Sequence, residues 1–259
     1  MISKEEERII RFYEGDVEGE DPFWSDRKAY LTVNSLFFDG IDNEVARTDE
    51  NKKLNPAFLD DVDRLLSVCT ALYGAALKNP IKEAKTLSRV ERYQDYLRMK
   101  EKGATISFTS TSTADFLNDY RDKRGLALLH IEIPAGTPCI DMAAVLPYYA
   151  KAEESEILLM PFTAMVIKEK EPDENLRRIT DMDGKEPLVY AEMEVTGLLK
   201  RPVEEVDEKI LRKYAESGKR VYESLNRHDL PKQEDILRYS QFKKMFIRKL
   251  NNLLHERRL

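Results

Sequence analysis

The apolar residues of this 259-residue chain change their period twice, and no other feature restricts the fold as much. Between Tyr30 and Leu77 the spacing is three or four residues. Leu31, Ser35 and Phe38 open the series, and Leu59, Val62, Leu65, Leu66, Cys69, Leu72 and Tyr73 continue it. Side chains that return to one side every 3.6 residues predict helices with a single buried face. Asn79-Pro80 ends that pattern, since the residue before a proline is pushed out of the helical region. Thr105–Ser112 is then rich in β-formers, with a short helical segment from Ala114 to Arg124 behind it. Leu126–Ile133 stops at the turn Pro134-Ala-Gly-Thr-Pro138, and Ile157–Glu169 and Leu188–Val195 are two more strands. After Pro202 the helical period returns. One stripe runs Val206, Ile210, Tyr214, Val221, Leu225; a stronger one, past Pro231, runs Ile236, Tyr239, Phe242, Phe246, Leu250, Leu253, Leu254.

Helices, then short strands with turns, then helices again predict an α+β fold with a largely antiparallel sheet between a helical N-terminal lobe and a C-terminal helical appendage. The expected divisions are an acidic segment over 1–24, a main domain over 25–200 and the appendage over 201–259. Charged residues make up 35% of the chain, with a net charge of −6 and a pI near 5.4, which argues against general attraction to nucleic acid or membrane. The charge is uneven, however. Residues 1–24 hold eight acids against three bases, and 241–259 hold six bases against one acid, Glu256. Two readings of that basic end are open: it docks on the chain's own acidic N-terminal segment, or it guides a nucleic acid.

Cys69 and Cys139 are too few for a disulfide framework and suit a reducing compartment. The first residues, MISKEEERIIRFYEGD, lack the apolar run of a secretory signal. No apolar stretch approaches the roughly 18 to 20 residues that span a bilayer. The expected setting is cytoplasmic, or a target cell reached without a signal peptide.

Neither GxGxxG nor GxxxxGK[ST] occurs among the ten scattered glycines. His130, His228 and His255 lie far apart, with no metal-like spacing to a cysteine or to one another, and they build no Ser–His–Asp arrangement. Three short segments stand out instead. They are Lys85-Thr-Leu-Ser-Arg89-Val, Phe108-Thr-Ser110-Thr-Ser112, and Glu154-Ser-Glu156-Ile-Leu-Leu. The last sits inside AKAEESEILL, where Glu153, Glu154 and Glu156 crowd against an apolar run. Such crowding is costly, because like charges and desolvation both oppose ionisation.

In their order, spacing and flanks, these segments resemble the Arg–Ser–Glu clade of mono-ADP-ribosyltransferases, the cholera-toxin-like, Glu-x-Glu group of bacterial toxin and effector domains. The resemblance covers roughly residues 25–197. Ile131-Glu-Ile-Pro-Ala-Gly-Thr-Pro resembles the strand and turn before the family's acceptor-facing loop, and Tyr30-x-x-x-Asn34 followed by helices resembles its N-terminal lobe. It implies a two-sheet, mainly antiparallel β-sandwich core. It also implies an enzyme that takes NAD+ as substrate without a metal and transfers ADP-ribose to an acceptor. In this clade Glu-x-Glu usually accompanies a protein arginine as that acceptor.

The chemistry of such a reaction explains the residue types. Cleaving the nicotinamide–ribose bond creates an oxocarbenium-like centre, as in glycoside hydrolysis. Glu156 is the carboxylate expected beside that ribose, where it stabilises the developing charge. On a period-2 strand Glu154 faces the same way, about 6 to 7 Å along, and is expected to orient the acceptor as its general base; Glu153 points away. Arg89 offers a forked, permanent cation to the phosphates or ribose of NAD+. Ser110 holds Glu156 or the ribose through its hydroxyl, and Ser112 knits the sheets together. Phe108 shares Ser110's face, where it borders the nicotinamide or packs in the core.

Two departures from the family pattern leave register open. Val90 stands where members often have glycine, and Arg92, three residues after Arg89, rivals it for the phosphate. The acceptor-facing loop would be about 141–153, with Tyr148 and Tyr149 against the acceptor, and Phe116, Tyr120 and Arg121 near the nicotinamide phosphate. Other readings keep the same residues: ADP-ribosylation of nucleic acid, simple NAD+ glycohydrolysis, or a catalytically silent toxin-like module whose terminal helices bind an antitoxin or chaperone.

Overall fold

The structure is a computed structural model that describes residues 2–16, 20–49, 52–114, 117, 125–146, 155–170 and 188–256. The chain separates into two compact units, one over Ala76–Lys200 and one combining Ile2–Ala75 with Arg201–Leu259.

The second unit is helical. Its elements are α1 (Lys4–Tyr13), α2 (Ala29–Ser35), α3 (Asp42–Asp49), α4 (Ala57–Asp60) and α5 (Val62–Lys78). α1 starts at a capping box in which Ser3 and Glu6 satisfy each other's backbone N–H groups. Its Phe12 packs with Phe23, Trp24 and Phe58. From the other end of the chain come two long helices, Glu208–Asn226 and Gln233–Glu256. The first is capped by Asp207. It turns Leu211, Ala215, Gly218, Tyr222 and Leu225 inward and leaves Ile210 40% exposed. The expected stripe is therefore off by one position at Ile210 and Tyr214, while Val221 and Leu225 are buried where it put them. Gly218 explains the choice of face: a Cβ there would lie 2.4 Å from the Tyr239 ring, so these two helices meet only because a side chain is missing. The last helix buries Tyr239, Phe242, Phe246 and Leu250 as its stripe predicts, and buries Lys243 as well.

The other unit carries seven strands and two helices among the described residues. They are β1 (Lys85–Arg92), α6 (Tyr93–Lys102), β2 (Thr109–Ser112), β3 (Leu126–Ile133), β4 (Cys139–Asp141), α7 (Met142–Val145), β5 (Glu156–Leu159), β6 (Thr163–Lys170) and β7 (Val189–Leu198). Numbering the long C-terminal helices in chain order makes them α8 and α9.

The strands form one sheet in the order β4-β5-β2-β1-β3-β7-β6. All neighbours are antiparallel except β3 and β7. Where the resemblance implied two sheets, the hydrogen-bonded ladder is continuous, because β1 pairs with both β2 and β3. The sheet curls, and an isolated bridge joins Ala104, on the way into β2, to Ala164 of the edge strand β6. Thr105 and Thr163 seal that closure. Each donates its hydroxyl to the Met160 carbonyl, and Thr163 N–H donates back to Thr105. The single strand expected over 157–169 is accordingly two, broken at Pro161-Phe162, where Phe162 takes φ +64.

Candidate active site

β1, β2 and β5 are neighbours, and each supplies one of the singled-out residues. Ser110 sits in β2, with Ser112 directly opposite Glu156, the first residue of β5. Ser110 and Ser112, two apart on the strand, share the face that Glu156 takes. The Ser110 hydroxyl donates to Glu156 Oε1 at 2.5 Å. From the next strand Arg89 Nη1 donates to the Ser110 carbonyl at 2.5 Å. Ser110 is thus held at both ends, its carbonyl by the cation and its hydroxyl by the carboxylate. The three residues expected to act together do meet.

Their surroundings differ. Glu156 is buried at 6% exposure, while Ser110 is exposed. A carboxylate so enclosed needs hydrogen-bond donors, and the serine hydroxyl is one. Arg92 turns away to the head of α6, where its Nε donates to Asp95 at 3.1 Å. Val90 packs with a small apolar cluster of Leu117, Leu128 and Leu188. That packing accounts for a β-branched residue where glycine was expected. Phe108 is 2% exposed and belongs to the core of the sheet. Ser112 accepts from the Ala114 N–H and is a register residue for both β1 and β5.

Glu153, Glu154, Tyr148, Tyr149, Phe116, Tyr120 and Arg121 lie outside the described residues. One finding bears on Glu154 even so. Ser155 has φ +46, a left-handed conformation that a non-glycine residue adopts uncommonly. The period-2 argument that put Glu154 on Glu156's face does not carry back across such a residue, because β5 begins at Glu156.

Two polar partners have no counterpart among the residues singled out from the sequence. Glu91, two residues beyond Arg89, accepts from Arg89 Nε at 2.8 Å and Nη2 at 2.6 Å through one oxygen. An acid at i+2 on the arginine's own strand was the available signal. Asp141 caps α7 through the Ala144 N–H and accepts from Lys85 Nζ at 3.2 Å, fixing the start of the 141–153 stretch.

Other chemistries find little here. Burial pushes the Cys139 thiol up to about 11 and the Cys69 thiol higher still, so neither is a ready nucleophile. His130 stacks obliquely on Tyr190 at 5.4 Å. Among the described residues no group of three His, Cys, Asp or Glu side chains has the makings of a metal site, and no described helix is long and apolar enough to cross a membrane.

No protein-family model matches the chain, and no curated protein does. Solved structures do. Plx2a, an ADP-ribosyltransferase toxin from Paenibacillus larvae, is 17% identical over 75% of this chain and 87% of its own, with a TM-score of 0.45. A second ADP-ribosyltransferase, from Clostridium botulinum, is 13% identical over 74% of this chain and 88% of its own, with a TM-score of 0.44. An ADP-ribosylating toxin of a C. perfringens binary enterotoxin, solved with NADH, is 15% identical over 74% of this chain and 44% of its own, at 0.42. Likeness at these values carries no functional weight, which rests on the geometry of Arg89, Ser110 and Glu156. The structures this chain is similar to are bacterial ADP-ribosyltransferase toxins.

Proposed function

We propose that the chain is a mono-ADP-ribosyltransferase that consumes NAD+. One observation supports this above the others: Ser110 joins a cation from β1 to a buried carboxylate at the start of β5. An oxocarbenium-like transition state needs a carboxylate already in place. Glu156 is so held, with its orientation set by a hydroxyl on a neighbouring strand. In this reading the C1′–nicotinamide bond breaks with its electron pair leaving on nicotinamide. Glu156 stabilises the positive C1′ and accepts a hydrogen bond from the ribose. Arg89 holds the cofactor's phosphates or ribose, and Phe108 backs the strand beneath the nicotinamide. An acceptor nitrogen then bonds to C1′, and its proton passes to Glu154. Tyr148 and Tyr149 line the acceptor's approach. The acceptor we infer is a protein arginine, from the Glu-x-Glu pattern.

A nucleic-acid acceptor is less favoured, for a specific reason. Within the helical unit three of the bases of α9 are engaged by acids: Lys243 with Glu44, Arg248 with Glu204 and Lys249 with Glu208. Those partners also differ from the 1–24 segment expected to receive them, whose Glu7 and Asp21 pair with Arg11 and Arg64.

Incubation with isotopically labelled NAD+ and a lysate, followed by mass spectrometry of proteins and nucleic acids, tests the reading. Label on arginine side chains is the expected result. Nicotinamide release without any labelled macromolecule would reassign the chain as an NAD+ glycohydrolase. If NAD+ raises the melting temperature not at all, the proposal of an NAD+ site fails.

A further inference from the structure

We propose that Glu91 is a positioning residue for Arg89, presetting the guanidinium for the dinucleotide; this rests on the NAD+ reading above. Residues two apart on a strand project to the same face about 6 to 7 Å apart, so a glutamate at 91 lies alongside the arginine at 89. The contact is built, as both ends of the carboxylate are used. Oε2 takes Arg89 Nε and Nη2, and Oε1 accepts the Arg92 N–H at 3.1 Å. The side chains are 24% and 13% exposed. A pair such as Arg212–Asp63, at 52% and 66%, is far wetter. Partial enclosure strengthens charge-assisted hydrogen bonds of this length.

Donor accounting gives the consequence. A guanidinium has five N–H groups. Glu91 takes one on Nε and one on Nη2, and the Ser110 carbonyl takes one on Nη1. Among the described residues these bonds leave one N–H on each terminal nitrogen without an acceptor, and the plane is fixed from two sides before any ligand arrives. A phosphate or ribose oxygen thus meets a cation whose rotamer is already chosen, which spares the ordering cost of binding. Glu91 offsets part of the arginine's attraction, and fixed geometry is what it contributes in return.

The test is the KM for NAD+ in nicotinamide release, with kcat read separately, for the full chain. Glu91→Gln keeps the size and one acceptor oxygen but removes the charge. It is expected to raise KM about tenfold, the worth of one charge-assisted hydrogen bond, while kcat stays within about twofold. In an Arg89→Ala background the same change should alter kcat/KM less than about twofold, since its effect passes through the arginine. A penalty that persists undiminished in that background overturns the role. So does a Glu91→Gln variant that binds NAD+ as tightly as, or more tightly than, the unsubstituted protein; tighter binding would mark Glu91 as a competitor for the fork. If the unsubstituted protein neither binds nor cleaves NAD+, the proposed function falls and this inference with it.

Discussion

The sheet unit sets a carboxylate, a cation and a hydroxyl together at Glu156, Arg89 and Ser110. The helical unit assembles the same kinds of group at Glu44, Lys243 and the phenols of Tyr239 and Tyr222. There Lys243 Nζ contacts Glu44 Oε1 at 2.5 Å and donates to the carbonyls of Phe38 and Gly40, while Tyr239 donates to Glu44 at 2.9 Å. The tyrosine hydroxyls lie 2.7 Å apart, and Ser35 is 3.0 Å from Tyr222. What differs is access. The Lys243 and Glu44 side chains are 3% and 0% exposed, whereas Ser110 is exposed and Arg89 is a quarter open.

A sealed network joins α2, α3, α8 and α9 and has nothing to act on. An open one, with its carboxylate set back and its serine forward, leaves polar groups within reach of a ligand, as the proposed function requires. Burial depresses the Lys243 ammonium below its usual range while Glu44 opposes that shift, as expected of a charge kept for architecture.

The sharpest way to break the contrast is Lys243→Met. It strands the Glu44 carboxylate in the interior and should cost about 3 to 5 kcal/mol in denaturant unfolding. The double variant with Glu44→Leu should recover a good part of that loss. A single variant within about 1 kcal/mol of the parent would show the cluster to be wet after all.

Glu156→Gln is the counterpart in the sheet unit. Nicotinamide release should fall about 100- to 1000-fold, the cost of removing a preorganised electrostatic group, with unfolding nearly unchanged. Equal loss of stability and activity would place Glu156 with Glu44 as architecture.

Ser110→Ala sharpens the point with a smaller effect. Glu156 loses its hydroxyl donor, and the rate should drop about tenfold, as for one hydrogen bond to a charged group. Stability should fall by about 1 to 2 kcal/mol, since a buried carboxylate loses one of its donors.

The mildest test returns to the helical unit. Asp235, in the first turn of α9, accepts from Arg220 at 2.6 Å, and that guanidinium holds its carboxyl below the usual range. A depressed carboxyl stabilises the fold at pH values above its unfolded pKa, and that contribution is lost as pH falls through the folded one. Arg220 is half exposed, so Asp235→Asn should cost only about 1 kcal/mol at neutral pH. The difference from the parent should close as the medium becomes strongly acidic; a constant gap across pH would mean packing, not charge, is at stake.

Much of the secondary structure was legible in the chain because period is a local property. The turn after β3 and the buried stripe of α9 fall where the periodicity put them. The α8 face was legible at Val221 and Leu225 but misjudged by one position at Ile210 and Tyr214, since Gly218, which helps decide it, has no side chain to enter a hydrophobic pattern. α6 was not anticipated, as its only buried residues are Asp95, Tyr96 and Met99. In the site, Arg89, Ser110 and Glu156 were named from the family resemblance that the order, spacing and flanks of their segments carry. Glu91 was passed over because its one signal, an acid at i+2 from the arginine, is equally common among solvated surface pairs.

By itself the sequence determined where the chain changes from helix to strand and back, since periodicity is local, and the order of three short segments supplied the resemblance that named Arg89, Ser110 and Glu156. Only the tertiary structure decided that β1, β2 and β5 lie side by side, so that a hydroxyl from one strand closes on a carboxylate of the next. It also decided that Lys243 is sealed and paired, although its place near the basic end suggested a surface charge. Strand order and burial depend on contacts between residues far apart in the chain, and no local pattern encodes a partner more than a hundred residues away.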